Sequence, residues 1–191
     1  GQQWMLLAEP RCAVALVNQS SYGHDVSPAG GDEHTPTMGV MARLTLLRSP
    51  QSPDPHPDQG RHHIVYSLLT DARIESAHVE AARLNQPLQV RSGTVELPST
   101  ARIEPVHGTT VIDAVKQAFD GFGDLVIRIH EAEGARSRVR LLLDQDGCVS
   151  EVDLLEDPID EPTQQLPAST CSKVELTLRP FQILTLRVSQ R

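Results

Sequence analysis

Short apolar runs recur along this chain, separated by residues that favour turns. In KVELTLR (173–179), Val174, Leu176 and Leu178 point one way and Glu175, Thr177 and Arg179 the other. That two-residue period is the signature of a half-buried strand. QILTLRV (182–188) repeats it, with Ile183, Thr185 and Arg187 opposed to Leu184, Leu186 and Val188. The same reasoning predicts strands over 12–18, 39–49, 62–70, 124–132, 137–143, 148–156, 173–180 and 182–188. Strands about 8–12 residues apart with turns between them predict an all-β protein built of antiparallel β-sandwich units. Asp146-Gly147 predicts a tight hairpin between 137–143 and 148–156. EGARS (133–137) predicts another turn, and Pro180 separates the last two strands.

Two stretches depart from this pattern. ESAHVEAARLNQPL (75–88) is Ala-rich and stopped by Pro87, which predicts one short helix over 76–84. TVIDAVKQAFDG (110–121) is ambiguous. Val111, Val115 and Ala118 with Ile112 and Phe119 fit a helical stripe slightly better than an alternating strand. The segments 27–37 and 156–170 lack apolar anchors or are acidic and Pro-rich, and read as surface loops. Glu151, Asp153, Glu156 and Asp157 read as a solvated strand face. The stretch 89–108 is the expected seam between two parts of similar size.

Composition narrows the function. Of 191 residues, 39% are apolar but only 3% aromatic, so the core is aliphatic. The formal net charge of -8 argues against a nucleic-acid partner, which wants a basic face. No apolar run approaches the roughly 20 residues that span a bilayer, so no membrane partner is expected. The start GQQWMLLAEP has no basic region followed by a long apolar one, which predicts no secretory leader. Cys12, Cys148 and Cys171 are odd in number and widely spaced, which suits reduced thiols in the cytoplasm better than disulfides or zinc.

The chemically densest stretch is SPDPHPDQGRHH (52–63). Asp54, His56, Asp58, His62 and His63 have the right types for zinc. Their spacing is wrong. Pro53, Pro55 and Pro57 hold the backbone extended, and adjacent His62 and His63 face opposite sides of a strand. The stretch reads as a proline-stiffened connector, or else as a loop presented to a site formed elsewhere. There is no G-x-S-x-G, and Ser20, Ser21, Tyr22 and His24 sit in a polar, turn-like stretch. GFGD (121–124) is a turn, not a phosphate loop. No catalytic residue and no metal ligand is expected in this chain.

Several stretches nevertheless resemble, in order and spacing, the carboxy-terminal β region of glycoside hydrolase family 38 α-mannosidases of the cytosolic and bacterial type. They are ALVNQSSYGHDV (15–26), RLTLLRSPQSPDPHPDQGRHHIVYSLL (43–69), EAARLNQPL (80–88), VIDAVKQAFDGFGDLVIRIHEAEGARSRVRL (111–141), VDLLE (152–156) and LRPFQILTLRV (178–188). The resemblance implies that 110–118 is a strand opening a final sandwich. It implies that 1–95 ends a large β-sandwich domain and that 105–191 is a small terminal one. It implies a parent enzyme that cleaves α-mannosidic bonds with retention. Zinc, the aspartate nucleophile and the acid/base carboxylate would lie in an amino-terminal catalytic domain, leaving no cofactor here. The implied partners are that domain of the same parent chain and a mannose-containing oligosaccharide. Two features depart from the family pattern: Thr70 and Asp71 stand where Pro-His is usual, and the loop after Tyr22 is long.

Candidate contacts at the cleft rim are Asn18, Tyr22, Arg48 and Asp54. Each has a plain structural counterpart: Asn18 bonds a turn, Tyr22 packs a loop, and Arg48 pairs with Asp54 or Asp58 for about 0–1 kcal/mol. The alternative function is an autonomous β-sandwich module that binds carbohydrate or protein. A piece of a larger sandwich would leave an apolar edge or face exposed; an autonomous module would cover it.

Overall fold

The alternation in the sequence becomes antiparallel strands in the computed structural model, which describes residues 2–30, 39–88, 90, 92–93 and 101–189. The chain divides into two units, Gly1–Val90 and Arg91–Arg191.

The first unit contains β1 (Trp4–Glu9), β2 (Cys12–Asn18), β3 (Gly23–Pro28), β4 (Val40–Thr45), β5 (Tyr66–Thr70) and α1 (Ile74–Asn85). β1, β2 and β5 form an antiparallel sheet in that order, and β3 pairs β4 as a separate ribbon. α1 covers one sheet face. Its Ala77 and Ala81, one turn apart, are buried against Ala15 and Val17, with Trp4, Leu6, Leu69 and Leu84 around them. Methyl side chains let the helix sit close to the strands. Arg73 N donates to Ser76 Oγ at 2.8 Å where the helix starts. Pro87 follows two residues after its end, where another turn would clash. The helix meets the expectation of a single short one, extended by two residues at its start and one at its end.

The second unit contains β6 (Ala101–His107), β7 (Thr110–Gln117), β8 (Leu125–Glu131), β9 (Ser137–Val152), β10 (Cys171–Leu178) and β11 (Ile183–Ser189). β9 is the long member. Its first half pairs β6 and β10, and its second half pairs β11, beyond which come β8 and β7. One strand thereby belongs to two sheets. Their inner faces supply a common aliphatic core: Ile127 and Ile129, Val139 and Leu141, Val174 and Leu176, Leu184 and Leu186. The predicted alternation is present in β10, with Val174, Leu176 and Leu178 buried between exposed neighbours. In β11 Thr185 is buried too, and its Oγ1 accepts from Arg128 Nε at 3.2 Å. Residues 110–117 are a strand, as the resemblance implies and against the local helical stripe. A bulge between Ile112 and Ala114 interrupts its pairing with β8 and blurs the two-residue period.

Several expectations are corrected. The hairpin at Asp146-Gly147 does not form, because β9 runs straight through it. Gly147 is there for space: a Cβ would collide with Val188 Cγ1. The boundary between the two units falls inside the expected seam, but β6 occupies the end of that stretch, and the polar stretch after Tyr22 contains β3. The strands expected over 39–49 and 62–70 shorten to 40–45 and 66–70. Residues 31–37 of the surface loop expected over 27–37 lie outside the described residues. The acidic side chains near 151–157 are not simply solvated. Glu151 accepts from Thr163 N, Thr163 Oγ1 and Gln164 N at 2.7, 2.8 and 2.9 Å. Asp153 Oδ1 accepts from Leu155 N and Asp157 N at 2.8 and 2.9 Å.

The clearest electrostatic constraint is Glu131, fully buried at the end of β8. Its carboxylate accepts from Glu133 N and Gly134 N, both at 2.8 Å, and from Phe181 N at 2.9 Å. It ties the turn after β8 to the turn before β11. Burial pushes its pKa up, but backbone N–H groups of Phe181, Glu133, Ala135 and Gly134 together pull it below the ordinary 4.5. A folded pKa below the unfolded one stabilises above the unfolded value and fades as pH falls through the folded one. Glu131→Gln turns an amide N–H₂ toward N–H donors, and is expected to cost about 1–3 kcal/mol at pH 7. Urea unfolding at pH 7 and in acid measures this: the wild-type advantage should shrink in acid, and equal midpoints at pH 7 would refute it.

Candidate functional site

Strand register brings the polar loops of the first unit together. Asn18, ending β2, pairs with Tyr66, beginning β5; Gly23, beginning β3, pairs with Thr45, ending β4. The segments just outside those pairs converge. They line an open groove of about 430 Å³ formed by Gln19–Gly23, Thr45–Arg48 and His62–Ile64.

Asn18 is the fixed point beneath this groove. It is fully buried. Its Nδ2 donates to the Ser21 carbonyl and, at 3.4 Å, to the Gln2 carbonyl. Its own carbonyl accepts from Asn85 Nδ2 at 3.1 Å, which joins β2 to the end of α1. Its Oδ1 is buried without a protein partner among the described residues. Ser20 takes a positive φ of 61°, which turns the chain back so that Ser21 Oγ reaches the Thr45 carbonyl at 2.5 Å. Gln19 N donates to the Val65 carbonyl at 3.0 Å. The loop is therefore held on both sides.

Of the four predicted residues, Tyr22 and Arg48 line the groove. Tyr22 is 65% exposed, so its ring presents a surface instead of packing the loop. Asn18 lies beneath, as a support. Asp54 is not among the lining residues; its Oδ1 accepts from His56 N at 2.8 Å and shapes its own loop. Arg48 pairs with neither Asp54 nor Asp58 among the described residues. Asp58 Oδ2 accepts instead from Ser49 N at 3.0 Å, where Ser49 and Asp58 both take positive φ. Sequence reasoning missed Gln19, Ser20, Ser21 and Thr45 as lining. The only signal for them is cross-strand register, which a single sequence does not print.

The donors of 52–63 do not fit a zinc ion. His62 Nε2 is 2.7 Å from the Asp58 carbonyl and His56 Nδ1 is 3.2 Å from Gln59 Nε2, so the ring nitrogens serve the loop. Among the described residues, no three His, Cys, Asp or Glu side chains gather as a metal set. Among the described residues no carboxylate lines the groove, whereas glycoside hydrolysis ordinarily uses a pair of them. What it offers is a guanidinium, a phenol, two imidazoles, an amide and hydroxyls. Such a surface can orient a hydroxylated ligand.

Known proteins place this geometry. The Glycosyl hydrolases family 38 C-terminal beta sandwich domain matches residues 109–186, from the start of the β7 region into β11. Alpha-mannosidase 2C1 of Homo sapiens is 32% identical over 197 residues, covering 96% of this chain and 17% of its own length. Alpha-mannosidase G of Dictyostelium discoideum is 32% identical over 142 residues, covering 70% of this chain and 12% of its own length. The chain belongs to the C-terminal region of the family 38 glycosyl hydrolases. A further relative, Alpha-mannosidase of Saccharomyces cerevisiae, is 24% identical over 200 residues and covers 92% of the chain. The family's β-sandwich agrees with the two facing sheets of the second unit. The chain spans about 17% of the length of the human and mouse relatives.

Asn18→Ala removes both side-chain bonds that hold the Gln2 and Ser21 carbonyls. The expected cost is about 1–3 kcal/mol, with faster proteolysis in 19–23. Thermal unfolding and limited proteolysis check this; an unchanged midpoint and cleavage pattern would show that Asn18 does not fix the loop.

Proposed function

We propose that this chain is a non-catalytic C-terminal β region of a retaining, zinc-dependent α-mannosidase, and that Tyr22 and Arg48 stand at the rim of its substrate cleft. The observation that carries the proposal is the groove itself. It presents Tyr22 and Arg48 to solvent, from the stretches 15–26 and 43–69 that both resemble the α-mannosidases. The lack of a lining carboxylate and of a converging metal set supports a binding role in this chain. The zinc, nucleophile and acid/base residue would belong to polypeptide outside these 191 residues. Zinc would there supply Lewis-acid contacts to sugar hydroxyls.

In this reading Arg48, which has no ion-pair partner among the described residues, donates hydrogen bonds to a sugar or to the adjoining catalytic domain. Tyr22 offers a ring face and a hydroxyl, the combination that suits a pyranose. Asn18 positions Tyr22 through the 18–23 loop. Asp54 shapes the neighbouring loop from outside the groove. The three free cysteines suit a parent protein kept in the cytoplasm. Among the described residues no helix is long and apolar enough to cross a membrane.

The test is made in the longer polypeptide. Arg48→Ala and Tyr22→Ala should each lower kcat/KM for an α-mannoside about tenfold, roughly 1.4 kcal/mol, with Tm unchanged. Unaltered kcat/KM in both variants would remove these residues from the rim.

A further inference from the structure

The second unit gathers positive charge that its fold does not neutralise. β9 and β10 alternate buried and outward residues, and the outward ones face each other in register: Glu175 opposite Arg140, and Thr177 opposite Arg138. The first of these is an ion pair, with Arg140 Nε 3.2 Å from Glu175 Oε1. Just beyond the strand ends, Arg136 precedes β9 and Arg179 follows β10. Both are exposed, and both line one groove of about 470 Å³. Among the described residues Arg136, Arg138 and Arg179 have no ion-pair partner. The nearby acids are engaged: Glu175 by Arg140, and Glu151 by Thr163 and Gln164. Three guanidiniums thus lie close together without counter-charge in a chain whose net charge is -8. Like charges at neighbouring positions repel.

The walls of this groove are polar and fixed. Gln164 is buried and exchanges two hydrogen bonds with the backbone of Thr177: its Nε2 donates to the carbonyl at 3.0 Å, and its Oε1 accepts from the N–H at 3.1 Å. Gln182 Oε1 accepts from Arg179 N at 2.9 Å, and Gln182 Nε2 donates to Thr163 Oγ1 at 3.0 Å. Among the described residues every side chain lining the groove is polar or charged. Its volume is that of a small-ligand site. We propose that the groove binds a phosphate group, free or esterified to a small molecule, between the guanidiniums of Arg136 and Arg179. Phosphate oxygens accept the forked N–H donors of a guanidinium in pairs, and the anion supplies the missing counter-charge. A neutral hydroxylated ligand would leave the repulsion between the arginines in place. The site stands whether or not the parent chain is a mannosidase.

Isothermal titration of the 191-residue chain with inorganic phosphate, glucose 6-phosphate and glucose, at an ionic strength held constant with potassium chloride, tests this. Both phosphates should bind and glucose should not. Arg136→Gln and Arg179→Gln should each weaken phosphate binding about tenfold. Arg61→Gln, which alters an exposed arginine of the first unit, should leave it unchanged. Tighter binding of glucose 6-phosphate than of inorganic phosphate assigns an ester as the ligand; equal or weaker binding assigns the free anion. Thermal unfolding adds a readout of opposite sign. Without phosphate, Arg136→Gln should leave Tm equal or raise it, because it removes a repulsion. Phosphate stabilises folded proteins in general, so the variants are the control: it should raise the wild-type Tm further than theirs. No binding of either phosphate, binding that both variants retain, or glucose bound as tightly as its phosphate would overturn the proposal. So would capture of an oligoglutamate peptide without phosphate binding, since the arginines would then serve a protein contact.

Discussion

In the unit Arg91–Arg191, two apolar sheet faces are buried on each other because β9 belongs to both sheets. Its first half aligns Val139 and Leu141 with Val174 and Leu176 of β10; its second half aligns Val149 with Val188 of β11. The passage depends on Gly147, where β11 approaches too closely for any side chain. With the sheets linked this way, aliphatic residues alone fill the core, which explains how a chain with 3% aromatic residues builds a sandwich. The first unit meets the same constraint on only one face. Its helix covers Ala15 and Val17, while Tyr66 and Leu68 on the other face remain largely in water. A closed sandwich and a half-covered sheet therefore occur within one chain, and that contrast favours a part of a larger protein over an autonomous module.

The fold was legible wherever period two survived. Val174, Leu176 and Leu178 announce β10, and Ala77 with Ala81 ahead of Pro87 announces α1. It was less legible where one residue serves two purposes. Asp146-Gly147 has the composition of a hairpin turn, yet the glycine answers to steric contact with Val188 and the aspartate stays on an uninterrupted strand. β3 is built from Gly, His, Asp, Val, Ser and Pro, a set that local propensity assigns to loops; its pairing with β4 overrides that. β7 carries a bulge, so its apolar residues slip out of alternation and mimic a helix. Of the candidate site, Tyr22 and Arg48 were legible and Gln19 to Ser21 and Thr45 were not. Their convergence depends on Asn18 facing Tyr66 and Gly23 facing Thr45, pairings set by long-range register.

The acidic character of the chain also has a structural use. Glu131, Glu151, Asp153, Asp58 and Asp54 all accept backbone N–H groups of turns, Glu131 in a buried position and the others at the surface. Arg187 bridges two more, with Nε 2.6 Å from Asp124 Oδ2 and Nη2 2.5 Å from Asp120 Oδ2, and so closes the turn between β7 and β8. Carboxylates spent in this way are engaged by the fold.

The central claim is that these residues bind and position while another part of the polypeptide performs the chemistry. The most direct measurement is hydrolysis of p-nitrophenyl-α-mannoside by the purified 191-residue chain, with and without added zinc, beside the longer polypeptide. The account predicts turnover by the longer polypeptide and none by the 191-residue chain under either condition. Zinc-dependent turnover by the 191-residue chain, persisting through further purification, would contradict it and place the chemistry among the histidines of 56–63.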